Sequence, residues 1–130
     1  MTEVPHKPDG YTAITPYFTV DDGDRLIAFL KQAFNGTLIR ENRYDNGRIQ
    51  HARVQIADAV IMLNESTDTY AANVSQMHLY VADAQASYEK ALEAGATSLM
   101  EPNIRPHGDK MAGVTDPCGN IWWLATYCGQ

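Results

Sequence analysis

A chain of 130 residues is long enough for one domain that buries roughly two-thirds of its unfolded surface, and it needs no second. With 45% hydrophobic and 20% charged residues it sits in the ordinary globular range, which excludes a disordered chain. The formal net charge of −6, with no cluster of Lys or Arg, argues against nucleic acid or an anionic membrane surface and leaves a small molecule as the expected partner.

Met1 to Gly10 reads as a tail: it carries Pro5, Pro8 and several charges, and His6 within it is a solvated residue. Neither there nor elsewhere does an uncharged apolar run approach the ~20 residues of a membrane span, so a cytoplasmic protein is expected. Thr12 to Val20 is rich in β-branched and aromatic residues and ends at Asp21-Asp22, the pattern of a strand running into a helix N-cap. From Gly23 to Phe34 the apolar residues Leu26, Ile27, Phe29, Leu30, Ala33 and Phe34 recur at three- and four-residue intervals, which predicts a helix. Asn35-Gly36 supplies a left-handed stop.

Three strands are predicted next, Thr37 to Tyr44, Ile49 to Ile56 and Val60 to Glu65. The first two are joined by the hairpin signal Asp45-Asn46-Gly47 and the second pair by Ala57-Asp58-Ala59. The same order then returns. Met77 to Val81 alternates as a strand, and Asp83 caps a helix whose apolar side is Ala84, Tyr88, Ala91 and Leu92 and which ends at Gly95. Further strands are predicted near Thr97 to Glu101, Lys110 to Thr115 and Asn120 to Tyr127, with a loop from Pro102 to Asp109 and a turn at Asp116-Pro117-Cys118-Gly119.

Val20-Asp21-Asp22 aligns with Val81-Ala82-Asp83, and Val54 through Leu63 with Val114 through Leu124, so the chain is an internal duplication. The expected fold is α+β: two β-α-β-β-β modules, about residues 11–66 and 75–128, in a single domain 1–130 with a short N-terminal tail. In each module the helix should cover one sheet face. Alternation then sends Phe18, Val20, Ala52, Val54, Ile56, Met77, Leu79 and Val81 toward the helix, and Thr15, Tyr17, Thr19, His51, Arg53, Gln55, Gln76, His78 and Tyr80 to the opposite face. Trp122 alternates to the helix side and reads as structural.

Four stretches carry a resemblance: ITPYFTVDD from Ile14, HARVQIADAVIMLNES from His51, HLYVADAQASYEKALEAGAT from His78 and GDKMAGVTDPCGNIWWLAT from Gly108. On these the chain resembles the vicinal-oxygen-chelate superfamily of glyoxalase I, bleomycin-resistance proteins and extradiol dioxygenases, and within it the PhnB-like group. The resemblance implies sheets curled into a cup, and metal-dependent members place one ligand on the first and last strand of each module. By position those slots fall on Thr15, Met62, Gln76 and Trp123, none of which is a His or a carboxylate, so metal ligands and cofactors are expected to be absent. The resemblance also implies a homodimer in which each cup takes one module from either chain.

The candidate ligand-binding residues are Tyr17, His51, Arg53, Met62, Gln76, His78, Tyr80 and Trp123. Tyr17, Met62, Tyr80 and Trp123 either form an aromatic floor for a planar or apolar molecule or simply fill the cup as a second core. Arg53 offers a forked donor to a carboxylate or phosphate, or else pairs internally with Glu41 or Glu65. His51 and His78, with Glu65 or Glu101, would have to converge to make a different metal site, and His107 either borders the cup as a lid or is a solvated loop residue.

Cys118 and Cys128 match neither a redox pair nor a zinc spacing and are read as reduced, partly buried thiols. There is no phosphate-binding glycine loop and no nucleophile elbow. The leading expectation is a metal-free protein that binds a small organic molecule. The alternative is an enzyme of the same superfamily, a lyase, isomerase or dioxygenase, working through a different ligand set or a cup histidine.

Overall fold

The computed structural model describes residues 4–129, and the first three residues of the predicted tail, with Gln130, lie outside them. Strand β1 (Tyr17–Val20) leads into α1 (Gly23–Phe34), followed by β2 (Thr37–Arg43), β3 (Ile49–Ile56) and β4 (Ala59–Glu65). Then come β5 (Gln76–Tyr80), α2 (Ala84–Glu93), β6 (Thr97–Ile104), β7 (Lys110–Thr115) and β8 (Ile121–Thr126). Each half makes a four-stranded mixed sheet, in the orders β1-β4-β3-β2 and β5-β8-β7-β6, whose first strand runs parallel to its neighbour while the remaining pairs are antiparallel. The architecture is the α+β pair of repeated units that the duplication predicts.

Both helices begin as their caps require: the Asp22 carboxylate accepts the Arg25 N–H and the Asp83 carboxylate the Ala86 N–H, each at 3.1 Å. The left-handed residue that ends α1 is Asn35 itself, with φ at 56°, rather than Gly36.

Two strand boundaries differ from the expectation by three residues or more. β1 begins at Tyr17, because Pro16 has no N–H to donate and enters the sheet only through its carbonyl, which accepts from Met62. β6 runs on to Ile104, into the first three residues of the expected loop. Pro102 falls where the register shifts between Met100 and Asn103, a bulge on an edge strand that tolerates a residue without a donor.

The helix-side surfaces of the two sheets meet in one core. Phe18 of β1 stacks on Trp122 of β8 with ring centroids 5.7 Å apart, and Phe34 of α1 lies 5.0 Å from the same indole. Trp122, 2% exposed, is the structural residue its alternation implied. Its indole N–H donates to the buried Asp116 carboxylate at 2.9 Å, and that carboxylate also accepts from the Cys118 and Asn120 amides and the Asn120 side chain. The Asp-Pro-Cys-Gly-Asn turn is thus built around one acceptor that leaves no donor orphaned. Helices α1 and α2 pack on each other, whereas no extended contact joins a strand of one sheet to a strand of the other. The outer surfaces of the two sheets therefore face away from the shared core.

Candidate functional site

The register places the expected residues in rows across these outer surfaces. On the first sheet one row is Arg40, Arg53, Met62 and Tyr17, and the next carries Asn42 with His51 and Asn64 with Thr19. On the second sheet the matching row is Met100, Gly113, Trp123 and His78. Tyr17 is 47% and Tyr80 62% exposed, so neither surface is covered by the rest of the chain.

On the first sheet the side chains form a linked chain of neutral and cationic groups. Arg53 Nε donates to His51 Nε2 at 2.9 Å, and His51 Nδ1 lies 3.1 Å from the Tyr17 hydroxyl. A guanidinium N–H only donates, so His51 Nε2 must be the acceptor and the proton of the neutral ring resides on Nδ1. Nδ1–H then donates to Tyr17, whose own O–H is left free to donate elsewhere. Partial burial, with the charges of Arg53 and Arg40 nearby, holds the His51 pKa below its ordinary value and keeps the ring neutral. Burial also raises the Tyr17 phenol.

Arg53 pairs with neither carboxylate weighed for it. Glu41 binds Arg43 on the helix side of β2, and Glu65 is buried, accepting the Gly23 and Ile49 amides at 2.8 and 2.6 Å. Arg53 Nη1 instead donates to the Tyr11 hydroxyl at 3.2 Å, with the guanidinium carbon 5.5 Å from the Tyr11 ring centre.

On the second sheet Trp123 lies flat over Gly113. A Cβ at residue 113 would stand 2.6 Å from indole Cζ3, so only glycine lets the ring down onto the strand. Trp123 Nε1 donates to Gln76 Oε1 at 2.6 Å. Trp123, Met100, Met111 and Arg105 line a hollow of about 240 Å³. His78 packs its ring against Tyr80 at 4.7 Å between centroids.

Thus Tyr17, His51, Arg53 and Met62 share one surface and Gln76, His78, Tyr80 and Trp123 the other, and within the chain the two sets do not converge. A larger cleft of about 330 Å³ lies elsewhere, between the end of α1 and the β5–α2 junction, and of the expected residues only Tyr80 lines it. Its acid, Asp83, is already the α2 cap.

The four positions that the resemblance implies as metal slots carry no imidazole or carboxylate. Gln76 and Trp123 satisfy each other, and neither the Met62 thioether nor the Thr15 hydroxyl replaces an imidazole or carboxylate. Among the described residues no three His, Cys, Asp or Glu side chains form a group that could hold a metal ion. His51 and His78 lie on different sheets, and Glu65 is turned inward. His107 is exposed and stands 3.5 Å from Asp109 in the β6–β7 loop.

Burial and the carboxylates of Asp116 and Asp22 push the Cys118 thiol up to about 11, which leaves it protonated and unreactive at neutral pH. Cys128 is exposed rather than partly buried. No helix among the described residues is long and apolar enough to cross a membrane.

Sequence reasoning missed Tyr11, Arg40, Asn64, Met100, Met111, Gly113 and Arg105. Arg40 was hidden by bulges near Ile39 and Gln50, which break the period-2 count on both strands of the β2–β3 hairpin. The glycine in Gly113-Val114 was the one available signal for a flat ring above the strand.

The model of the Glyoxalase/Bleomycin resistance protein/Dioxygenase superfamily matches residues 10–124. The chain belongs to this superfamily. It is 29% identical over 123 residues to the uncharacterized protein Mb0911c of Mycobacterium bovis, covering 86% of this chain and 81% of that protein. Among solved structures it is similar to TioX from Micromonospora sp. ML1, with TM-score 0.76 and 20% identity over 88% of this chain and 98% of that one. It is also similar to a PhnB protein from Bacillus cereus, with TM-score 0.70 and 19% identity over 89% of this chain and 100% of that one. At such identities these two structures speak to the fold alone.

Proposed function

We propose that this superfamily member is a metal-independent binding protein that holds a small organic molecule in a cup, and that the cup is completed by a second copy of the chain. The observation that carries the reading is the Trp123 to Gln76 hydrogen bond. It occupies with each other two side chains that stand at metal-ligand slots, and it fixes the indole as a flat apolar platform. Two further features support it. Each outer surface bears half of the expected site and is open, and an isologous two-fold pairing would set Tyr17, His51 and Met62 of one chain opposite Gln76, His78 and Trp123 of its partner.

The enzymatic alternative has less support. Both ring nitrogens of His51 are engaged, so no lone pair is free to serve as a general base, and no ligand set gathers elsewhere among the described residues.

The test combines light scattering, elemental analysis and titration with 2-naphthamide monitored by tryptophan fluorescence. A dimer that binds the probe saturably, with the same affinity after chelation, is the expected result. Stoichiometric zinc, nickel, iron or manganese that is required for binding, or a stable monomer that binds as well, would overturn the reading.

A further inference from the structure

Arg40 and Arg53 stand directly opposite each other across β2 and β3, on the outer surface of the first sheet. Side chains so placed have Cβ atoms about 5 Å apart, and like charges there destabilise the sheet. In a chain with 16 acidic residues and a net charge of −6, such a pair would ordinarily be neutralised from within. It is not. Every ion pair among the described residues lies elsewhere, at Arg43 with Asp24 and Glu41, and at His107 with Asp109. The partners of Arg53 are the neutral His51 ring and the Tyr11 phenol, which orient the guanidinium without discharging it. The two rows around the pair contribute Met62, Tyr17, Asn42, His51, Asn64 and Thr19, and no carboxylate.

We propose that Arg53 and Arg40 form an oxyanion-binding subsite, which makes the ligand a small organic acid with a carboxylate or phosphate headgroup and a flat apolar body. Arg53 spends its Nε–H on His51 and one Nη1–H on Tyr11, so Nη2 and the remaining Nη1–H present the end-on edge of the fork that matches two oxygens of one headgroup. The Tyr17 hydroxyl, with its proton free, is the third donor in the same row. Met62, between Tyr17 and Arg53, is the apolar surface on which the body of the acid begins. The inference rests on the cup reading above and deepens it by naming the ligand class.

The experiment titrates the purified protein with three matched probes, 2-naphthoate, 2-naphthyl phosphate and the neutral 2-naphthamide. One or both anions should bind about tenfold tighter than the amide, the gain expected of a charge-assisted forked contact, and the tighter anion names the headgroup. Arg53→Gln should erase that preference, so that within this variant neither anion binds tighter than 2-naphthamide. Arg40→Gln, on the exposed edge strand where the fold does not depend on it, should lower the preference about threefold.

If the amide binds as tightly as both anions, or if Arg40→Gln leaves the preference intact, the subsite is wrong and the cup stands. If no probe binds, both fall.

Discussion

In the first half of the molecule the amide that opens α1, on Gly23, donates to a carboxylate, Glu65 Oε2; in the second half the amide that opens α2, on Ala84, donates to a hydroxyl, Thr126 Oγ1. Both bonds are 2.8 Å long, and Glu65 and Thr126 hold matching positions at the ends of β4 and β8. The larger acceptor needs the smaller partner. A Cβ on Gly23 would stand 3.0 Å from Glu65 Cγ and 2.7 Å from Ile49 Cδ1, whereas the shorter threonine admits an alanine. On the helix side the two halves solve one problem, anchoring a helix start to the end of a sheet, with different atoms.

On the outer side they share only the backbone. One row is Arg40, Arg53, Met62 and Tyr17; its counterpart is Met100, Gly113, Trp123 and His78. Where packing makes demands the duplication has kept its pattern. Where nothing in the chain packs, one copy became cationic and the other apolar.

The largest difference between the halves should be at Asp116, since the matching turn of the first half, at Ala57-Asp58, holds no buried carboxylate. Asp116→Ala leaves the Trp122, Asn120 and Cys118 donors without their acceptor and should cost about 3 kcal/mol or more in guanidinium unfolding. A loss under about 1 kcal/mol would mean that water replaces the carboxylate and that the two turns are equivalent.

The helix anchors should separate next. Glu65→Ala removes two buried acceptor contacts and should cost about 2–3 kcal/mol, while Thr126→Val removes one and should cost about 1 kcal/mol. Equal losses would erase the distinction between them.

The smallest effect concerns His51. Its folded pKa is lowered, so between that value and about 6.5 the unfolded chain binds more protons than the folded one. Its contribution to stability is complete above about pH 6.5 and is lost as pH falls toward the folded pKa. His51→Gln should flatten that slope in unfolding midpoints measured across the window. An unchanged slope would place the acid sensitivity elsewhere.

Most of the fold was legible because its signals are local. Helix α1 ends where the three- and four-residue spacing of Leu26 to Phe34 ends, and β3 and β7 span the residues predicted for them. The site was legible only in part. Tyr17, His51 and Arg53 were placed on one surface by counting in twos and Met62 by the resemblance, but Arg40 escaped because a bulge on either strand of the hairpin resets the count.

The sequence alone determined the order of strands and helices, that the pattern repeats, and that the residues at the slots the resemblance implies, Thr15, Met62, Gln76 and Trp123, are poor metal ligands, because these follow from residue type and short-range spacing. Tertiary structure decided that Arg53 meets His51 and Tyr11 instead of Glu41 or Glu65, that His51 carries its proton on Nδ1, and that Trp123 rests on Gly113 with its N–H on Gln76. Each of these is a choice among several chemically acceptable partners, and only the register of distant strands says which partner lies within reach.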